Sequence, residues 1–116
     1  QQAVLIERSR LDELSSGDPD TMREIVLLFF ERMDALFPDI DRTLAAGDMV
    51  EARRYAHTGA GSCATCGMHQ AQNVMRRMER SIEAGELAHT RDLILEARRV
   101  LAATRAAAVQ LLPGLK

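Results

Sequence analysis

The chain has 116 residues, a formal net charge of −2 and 47% hydrophobic residues, which is enough apolar material for one folded domain and excludes a disordered chain. Aromatic residues make up only 3% of the sequence and there is no Trp, so few side chains could stack on bases. The net charge of −2 gives no strong positive field that would attract nucleic acid. The longest apolar run, Ile25 to Phe30, is too short to span a bilayer.

The first half of the chain contains two helical segments separated by a break. Val4 to Leu14 has the spacing of a short amphipathic helix and is followed by a Ser-Ser-Gly sequence that ends it. Asp18 is a typical N-cap with Pro19 at the first helical position, and apolar residues then recur at helical spacing for about six turns. Pro38 lies inside this long helix and is expected to kink it or to remove one hydrogen bond, and Gly47 is a suitable C-cap.

The second half is predicted to hold three more helices. Asp48 is expected to cap the helix that carries His57, and a further amphipathic stripe follows it. The last helix is predicted from about Thr90 to Leu112. No alternating strand pattern occurs. The sequence therefore predicts an all-α fold in one domain, residues 1–116, and the short connections make sequential helices antiparallel neighbours.

His57 is the candidate functional residue, and the side chains within about 60° of it define one face of its helix. That face carries Val50, Arg53, Arg54, Ala60, Gly61 and Ala64. The opposite face carries Ala52, Tyr55, Gly59, Ser62, Cys63 and Cys66. Because the second face holds no charge, it is predicted to pack inward, which leaves His57 in solvent among small residues that a partner could approach closely.

The chemistry of this face is that of an exposed imidazole without a local base. An imidazole is a nucleophile near neutral pH and can accept a phosphoryl group and hand it on. Arg53 and Arg54 lie one turn toward the N terminus and favour an anion bound near His57. Ala60, Gly61 and Ala64 are expected to leave the imidazole unobstructed. Gly59, on the inner side, is expected to let a neighbouring helix pack close.

The two cysteines suggest a different class of function. Cys63 and Cys66 are spaced as in a redox motif, and His69 follows within one turn, so a small metal- or redox-sensing helical domain is an alternative. The other interpretation is two small buried hydrophobic side chains. Two cysteines without a disulfide framework, and no signal-peptide pattern, favour a reducing, cytoplasmic setting.

The residues around His57 resemble a family motif. Ala56, His57, Gly61, Ser62, Gly67 and Glu79 match the histidine-containing phosphotransfer (HPt) domains of bacterial multistep phosphorelays. Their motif reads approximately Ala-His-x-Leu-Lys-Gly-Ser-Ser, with a glycine shortly after and a Leu-Glu pair about two turns into the next helix. Cys63 stands at the second serine and Met78 at the leucine. The segments 16–19, 27–30 and 44–48 are also similar to the family, so the resemblance covers essentially the whole chain.

The resemblance implies an antiparallel, up-down-up-down four-helix bundle preceded by a short N-terminal helix. His57 would accept a phosphoryl group from an aspartyl phosphate on one receiver domain and pass it to another. The receiver, in a response regulator or a hybrid histidine kinase, would bring the acidic residues and Mg²⁺, so this chain would need no cofactor or metal of its own. It would be a monomeric phosphocarrier and not an ATP-dependent kinase.

The sequence departs from the family at two positions near the histidine. The family's lysine is Ala60 here, and Gly59 replaces the usual leucine. In the family that lysine assists with the phosphoryl charge. Arg53 or Arg54 is expected to substitute for it, with the i−3 spacing favouring Arg54. The alternative is a docking domain of the same fold that has lost phosphotransfer together with the lysine.

Overall fold

The computed structural model describes residues 3–115 and contains five α-helices. They are α1 (Arg8–Ser15), α2 (Pro19–Ala45), α3 (Met49–Cys66), α4 (His69–Glu83) and α5 (Leu87–Leu111). No β-strand occurs within residues 3–115, so the predicted all-α fold is confirmed. None of the described helices is long and apolar enough to cross a membrane.

Local sequence signals mark the starts and ends of α2 and α3. The Asp18 carboxylate accepts a hydrogen bond from the backbone N–H of Thr21 at the start of α2, and the Asp48 carboxylate accepts one from Glu51 at the start of α3. These side chains satisfy backbone donors that have no partner inside the helix. Gly47 and Gly67 follow α2 and α3 with positive φ, a conformation that glycine adopts without strain. Both predicted N-caps are confirmed.

The core is built from Met, Phe, Leu, Ile, Val and Ala side chains of all five helices. α3 packs against both α2 and α4, and α5 contacts α4 and α2. Pro38 lies on an exposed position within α2, which is assigned as one helix on both sides of it. This arrangement puts the middle of α3, where His57 lies, between two long neighbouring helices.

The predicted N-terminal helix is wrong at its start, because α1 begins at Arg8 and not at Val4. The preceding segment instead binds the turn between α3 and α4. The backbone N–H of Glu7 donates to the carbonyl of Gly67 (2.9 Å), and the N–H of Gln70 donates to the carbonyl of Val4 (3.2 Å). Met68 gives α4 no side-chain cap. The carbonyl of Val4 therefore satisfies a free N–H of the first turn of α4, which a helix starting at Val4 would not do.

The last helix also starts earlier than predicted, at Leu87 and not at Thr90. Thr90 is fully buried within the first turn. Its hydroxyl donates to the carbonyl of Glu86 (2.9 Å) and lies 2.7 Å from the hydroxyl of Ser81. Thr90, the predicted start of the last helix, thus lies inside α5 and joins its first turn to the last turn of α4.

Gly59 lies where side chains of α2 and α4 pack closely against α3. A Cβ atom added there would lie 2.7 Å from Cε of Met75 and 3.1 Å from Cδ1 of Leu36, whereas a Cβ added at Gly61 would have no neighbour within 4 Å. The predicted role of Gly59 in close packing is confirmed, because the side chain at a helix contact sets the distance between the helices.

These two glycines form a matched pair for a stability test. Gly61→Ala should raise the free energy of unfolding by about 0.5–1 kcal/mol, because alanine is the better helix former and meets no neighbour. Gly59→Ala gains the same propensity but must displace Met75 and Leu36, which costs roughly 1–3 kcal/mol. In urea denaturation, the free energy of unfolding of Gly59→Ala should therefore be at least about 1 kcal/mol lower than that of Gly61→Ala. Equal stabilities would contradict the close packing at Gly59.

Candidate functional site

His57 lies on the open face of α3 with 67% of its side chain exposed. One turn further along, Gly61 is exposed and Ala64 is partly buried. No atom lies within 4 Å of the position that a Cβ of Gly61 would occupy. The predicted exposure of His57 is confirmed, and the backbone one turn beyond it is accessible from solvent.

Ala60 does not belong to this open face, contrary to the sequence-based expectation. Its side chain is fully buried, as is that of Ala56. The helical projection assigned one inner face to α3, but α3 is covered by α2 on one side and by α4 on the other. The buried arc is therefore wider than that of a helix with a single neighbour, and it includes Ala60.

The imidazole of His57 contacts a carboxylate that the sequence reasoning did not assign to the site. Nδ1 of His57 lies 3.1 Å from Oε2 and 3.2 Å from Oε1 of Glu79, and only 14% of the Glu79 side chain is exposed. A carboxylate accepts hydrogen bonds, so this contact places the proton of the neutral imidazole on Nδ1 and leaves the lone pair on Nε2. The expectation of a histidine without a local base is wrong.

A signal for Glu79 was present in the sequence. Glu79 matches the acidic residue of the family motif, and it lies on α4 directly after the fully buried Met78. A residue next to a core position on a helix lies at the edge of the buried stripe. A side chain at such a position lies at the edge of the interface between two helices. The sequence alone does not give the alignment of α3 with α4 that brings Glu79 next to His57.

The two candidate arginines differ in their contacts. Nη2 of Arg53 lies 3.6 Å from Oε2 of Glu79, and its Nε donates to Glu83 at 3.1 Å. Arg54 instead pairs with Glu51 at 2.6 Å and lies over the ring of Tyr55. Arg53, and not the Arg54 that the i−3 spacing favoured, therefore shares the carboxylate that contacts His57.

A groove of about 520 Å³ opens beside Gly61, between α2 and α3. Its lining residues are Leu14, Ile25, Leu28, Phe29, Arg32, Gly61, Ser62, Thr65 and Cys66. Leu28 is 44% exposed, which is high for a large aliphatic side chain. The groove therefore offers an apolar surface with one arginine next to the face that carries His57.

The cysteines and His69 do not come together as a site. Burial raises the pKa of the Cys63 thiol to about 12 and also raises that of Cys66, so both are protonated and unreactive near neutral pH. His69 lies 2.5 Å from the carboxylate of Glu7 and holds the pKa of that carboxyl below its usual range. Residues 3–115 contain no group of three or more His, Cys, Asp or Glu side chains placed to hold a metal ion.

The contact between His57 and Glu79 can be tested by nitrogen NMR of the imidazole. In the native protein the neutral ring of His57 should carry its proton on Nδ1. Glu79→Ala should shift the population toward the Nε2–H tautomer, because the acceptor of the Nδ1 proton is gone. Glu96→Gln, which removes a carboxylate of α5 that pairs with Arg77 of α4, is the control. An unchanged tautomer in Glu79→Ala would contradict the assignment.

A comparison with known protein families identifies the family of this chain. The model of the Hpt domain family matches residues 24–107, a span that runs from α2 into α5 and includes His57 and Glu79. Neither the comparison with curated proteins nor the comparison with solved structures gives a significant match. Since the family match covers well over half of the chain, the protein belongs to the Hpt domain family, whose members carry out histidine phosphotransfer in phosphorelays and interact with receiver domains.

Proposed function

We propose that His57 accepts a phosphoryl group from an aspartyl phosphate on one receiver domain and passes it to an aspartate on another. The observation that carries this proposal is the contact of Nδ1 with the carboxylate of Glu79, 3.1 Å away. That contact turns the nucleophilic Nε2 away from the carboxylate, on an imidazole that is 67% exposed.

The transfer needs no other nucleophile in this chain. The lone pair of Nε2 attacks phosphorus, the bond between phosphorus and the aspartate oxygen breaks, and the aspartate leaves as a carboxylate. The ring then carries a positive charge shared by both nitrogens, and Glu79 stabilises it through the Nδ1 proton. In the second transfer the electron pair of the P–N bond returns to Nε2 as the second aspartate attacks.

Docking of the receiver is proposed to use the open face of α3 together with the groove beside Gly61. The bare backbone at Gly61 lets a partner's aspartate and its bound Mg²⁺ approach the imidazole. The exposed aliphatic surface of Leu14 and Leu28 in the groove suits an apolar patch on the partner. The receiver supplies the Mg²⁺ and the acidic residues that hold it.

The proposal also covers the arrangement of the helices, the oligomeric state and the cellular location. α2 to α5 form an antiparallel four-helix bundle with α1 at one end, which is supported by the two- and three-residue connections between consecutive helices. We propose that the chain acts as a monomer, in the cytoplasm, as a phosphocarrier without ATP-dependent kinase activity.

A docking domain without phosphotransfer is the second candidate, because alanine stands where the family has its lysine. Replacement of the acceptor decides between the two functions. His57→Gln should abolish acid-labile phosphorylation from a phosphorylated receiver of the source organism. Phosphoramidate, a small-molecule donor for imidazoles, should label residue 57 of the wild-type protein, whatever label it also places on the exposed His89. Receiver-derived label that survives in His57→Gln, or a wild-type protein that takes up no label at His57 from either donor, would contradict the proposal.

The docking face can be tested separately from the chemistry. Gly61→Gln and Leu28→Asp should slow transfer from a receiver at least about tenfold, a loss of roughly 1.4 kcal/mol. Labelling by phosphoramidate should change less than twofold, because the small donor needs no docking surface. Gly61→Ala and Glu31→Gln, a change at another exposed position of α2, are the controls. Equal losses with both donors would point to a damaged site, and full receiver activity would exclude docking here.

A further inference from the structure

The site contains one arginine held between two carboxylates. Arg53 donates from Nε to Glu83 at 3.1 Å, and its Nη2 lies 3.6 Å from the same Glu79 oxygen that contacts His57. Glu79 is already engaged with the imidazole. Glu83 has no role in the transfer described above, and 64% of its side chain is exposed. The partner that Arg53 can give up most easily is therefore Glu83.

Phosphorylation changes the balance of charge around Arg53. A phosphoryl group on Nε2 adds close to two negative charges and strong acceptor oxygens beside the imidazole. Arg53 precedes His57 by four residues, so the two side chains are neighbours on the surface of α3. An exposed Arg–Glu pair is weak, whereas a guanidinium binds phosphoryl oxygens through paired, charge-assisted hydrogen bonds.

We propose that Arg53 exchanges partners when His57 is phosphorylated, releasing Glu83 and binding the phosphoryl oxygens, so that Glu83 sets the lifetime of the phosphohistidine. This inference rests on the proposed phosphorylation of His57. It assigns a regulatory role to Glu83, which acts through Arg53 and is a positioning residue.

The lifetime follows from the chemistry of P–N cleavage. In hydrolysis a water oxygen bonds to phosphorus, the P–Nε2 bond breaks, and its electron pair stays on Nε2. Both protons of the water stay with the phosphate, which leaves as dihydrogen phosphate. The transition state is loose and resembles metaphosphate. The phosphoryl oxygens carry less charge there than in the dianion, so a bound guanidinium stabilises the ground state more than the transition state. Arg53 bound to the phosphoryl group should therefore slow hydrolysis, and Glu83 should compete with that binding.

The experiment measures the half-life of phosphohistidine at His57 in the isolated protein after labelling with phosphoramidate and removal of the donor, with His89→Gln as the background so that the other exposed imidazole takes up no label. Arg53→Gln should shorten the half-life about threefold to tenfold, and Glu83→Gln should lengthen it about twofold to fivefold. The double variant should behave like Arg53→Gln, because Glu83 acts only through the arginine. Arg53→Lys should restore part of the lifetime, since it keeps the charge without the paired hydrogen bonds.

The Arg77–Glu96 pair, an exposed arginine and glutamate that join α4 to α5, provides matched controls. Arg77→Gln and Glu96→Gln should leave the half-life unchanged. Arg76, three residues before Glu79 on α4, is the competing cation. A normal half-life in Arg53→Gln, a shorter one in Arg76→Gln, or an effect of Glu83→Gln that persists without Arg53 would each overturn the partner exchange. A wild-type protein that takes up no label at His57 would instead refute the proposed function, and this inference with it.

Discussion

The contact between Nδ1 of His57 and the carboxylate of Glu79 is the interaction on which the site depends. It joins the middle of α3 to the second half of α4, so it exists only if the two helices lie close together and in one register. Gly59 provides the first condition, since its missing side chain makes room for the methyl group of Met75. A larger side chain at residue 59 would have to displace the ends of the Met75 and Leu36 side chains that pack against α3 beside this contact.

The register of α3 and α4 is set at the turn that joins them. Gly67 has a φ of +71°, and a Cβ added there would lie 2.9 Å from Cβ of Arg10 and 3.1 Å from Cβ of Glu7. Glycine is therefore required for both backbone conformation and space. The segment before α1 packs into that space and bonds to Gly67 and Gln70. The N-terminal segment thus belongs to the scaffold of the site, because it holds the turn from which α4 leads to Glu79.

The sequence predicts those parts of the fold that depend on residues close to one another in the chain. Asp18, Pro19 and Asp48 mark helix starts because a cap is made within one turn of chain. The path of Val4 to Glu7 was missed because it depends on a distant partner, the first turn of α4. The start of α5 at Leu87 was missed because no side-chain cap marks it. Helix spacing alone gives neither a distant partner nor the exact start of an uncapped helix.

The same distinction applies to the site. The exposure of His57 follows from the pattern of α3 alone. The burial of Ala60 and the approach of Glu79 require knowledge of where α4 lies, and a single helical projection cannot supply it. Spacing along α3 ranks Arg53 and Arg54 by their distances to His57 but ignores Glu79 and Glu83 on the neighbouring helix, both of which contact Arg53. Which arginine substitutes for the family's lysine stays a prediction.

Because residue 60 is alanine and not the family's lysine, it adds no charged side chain near His57. Residue 60 is fully buried between helices, where an alanine packs without desolvating a charge. The cation nearest to the imidazole network is then Arg53, on the side of His57 toward the N terminus of α3 and next to α4. Gly61 and the groove with Leu14 and Leu28 lie on the other side, toward α2. The two sides of His57 therefore differ, one carrying the charged side chains of Arg53, Glu79 and Glu83 and the other an apolar surface and bare backbone. The side chain of a lysine at residue 60 would have to extend from between the helices to the surface near His57. Its ammonium group would then place a charge between the charged side and the apolar side.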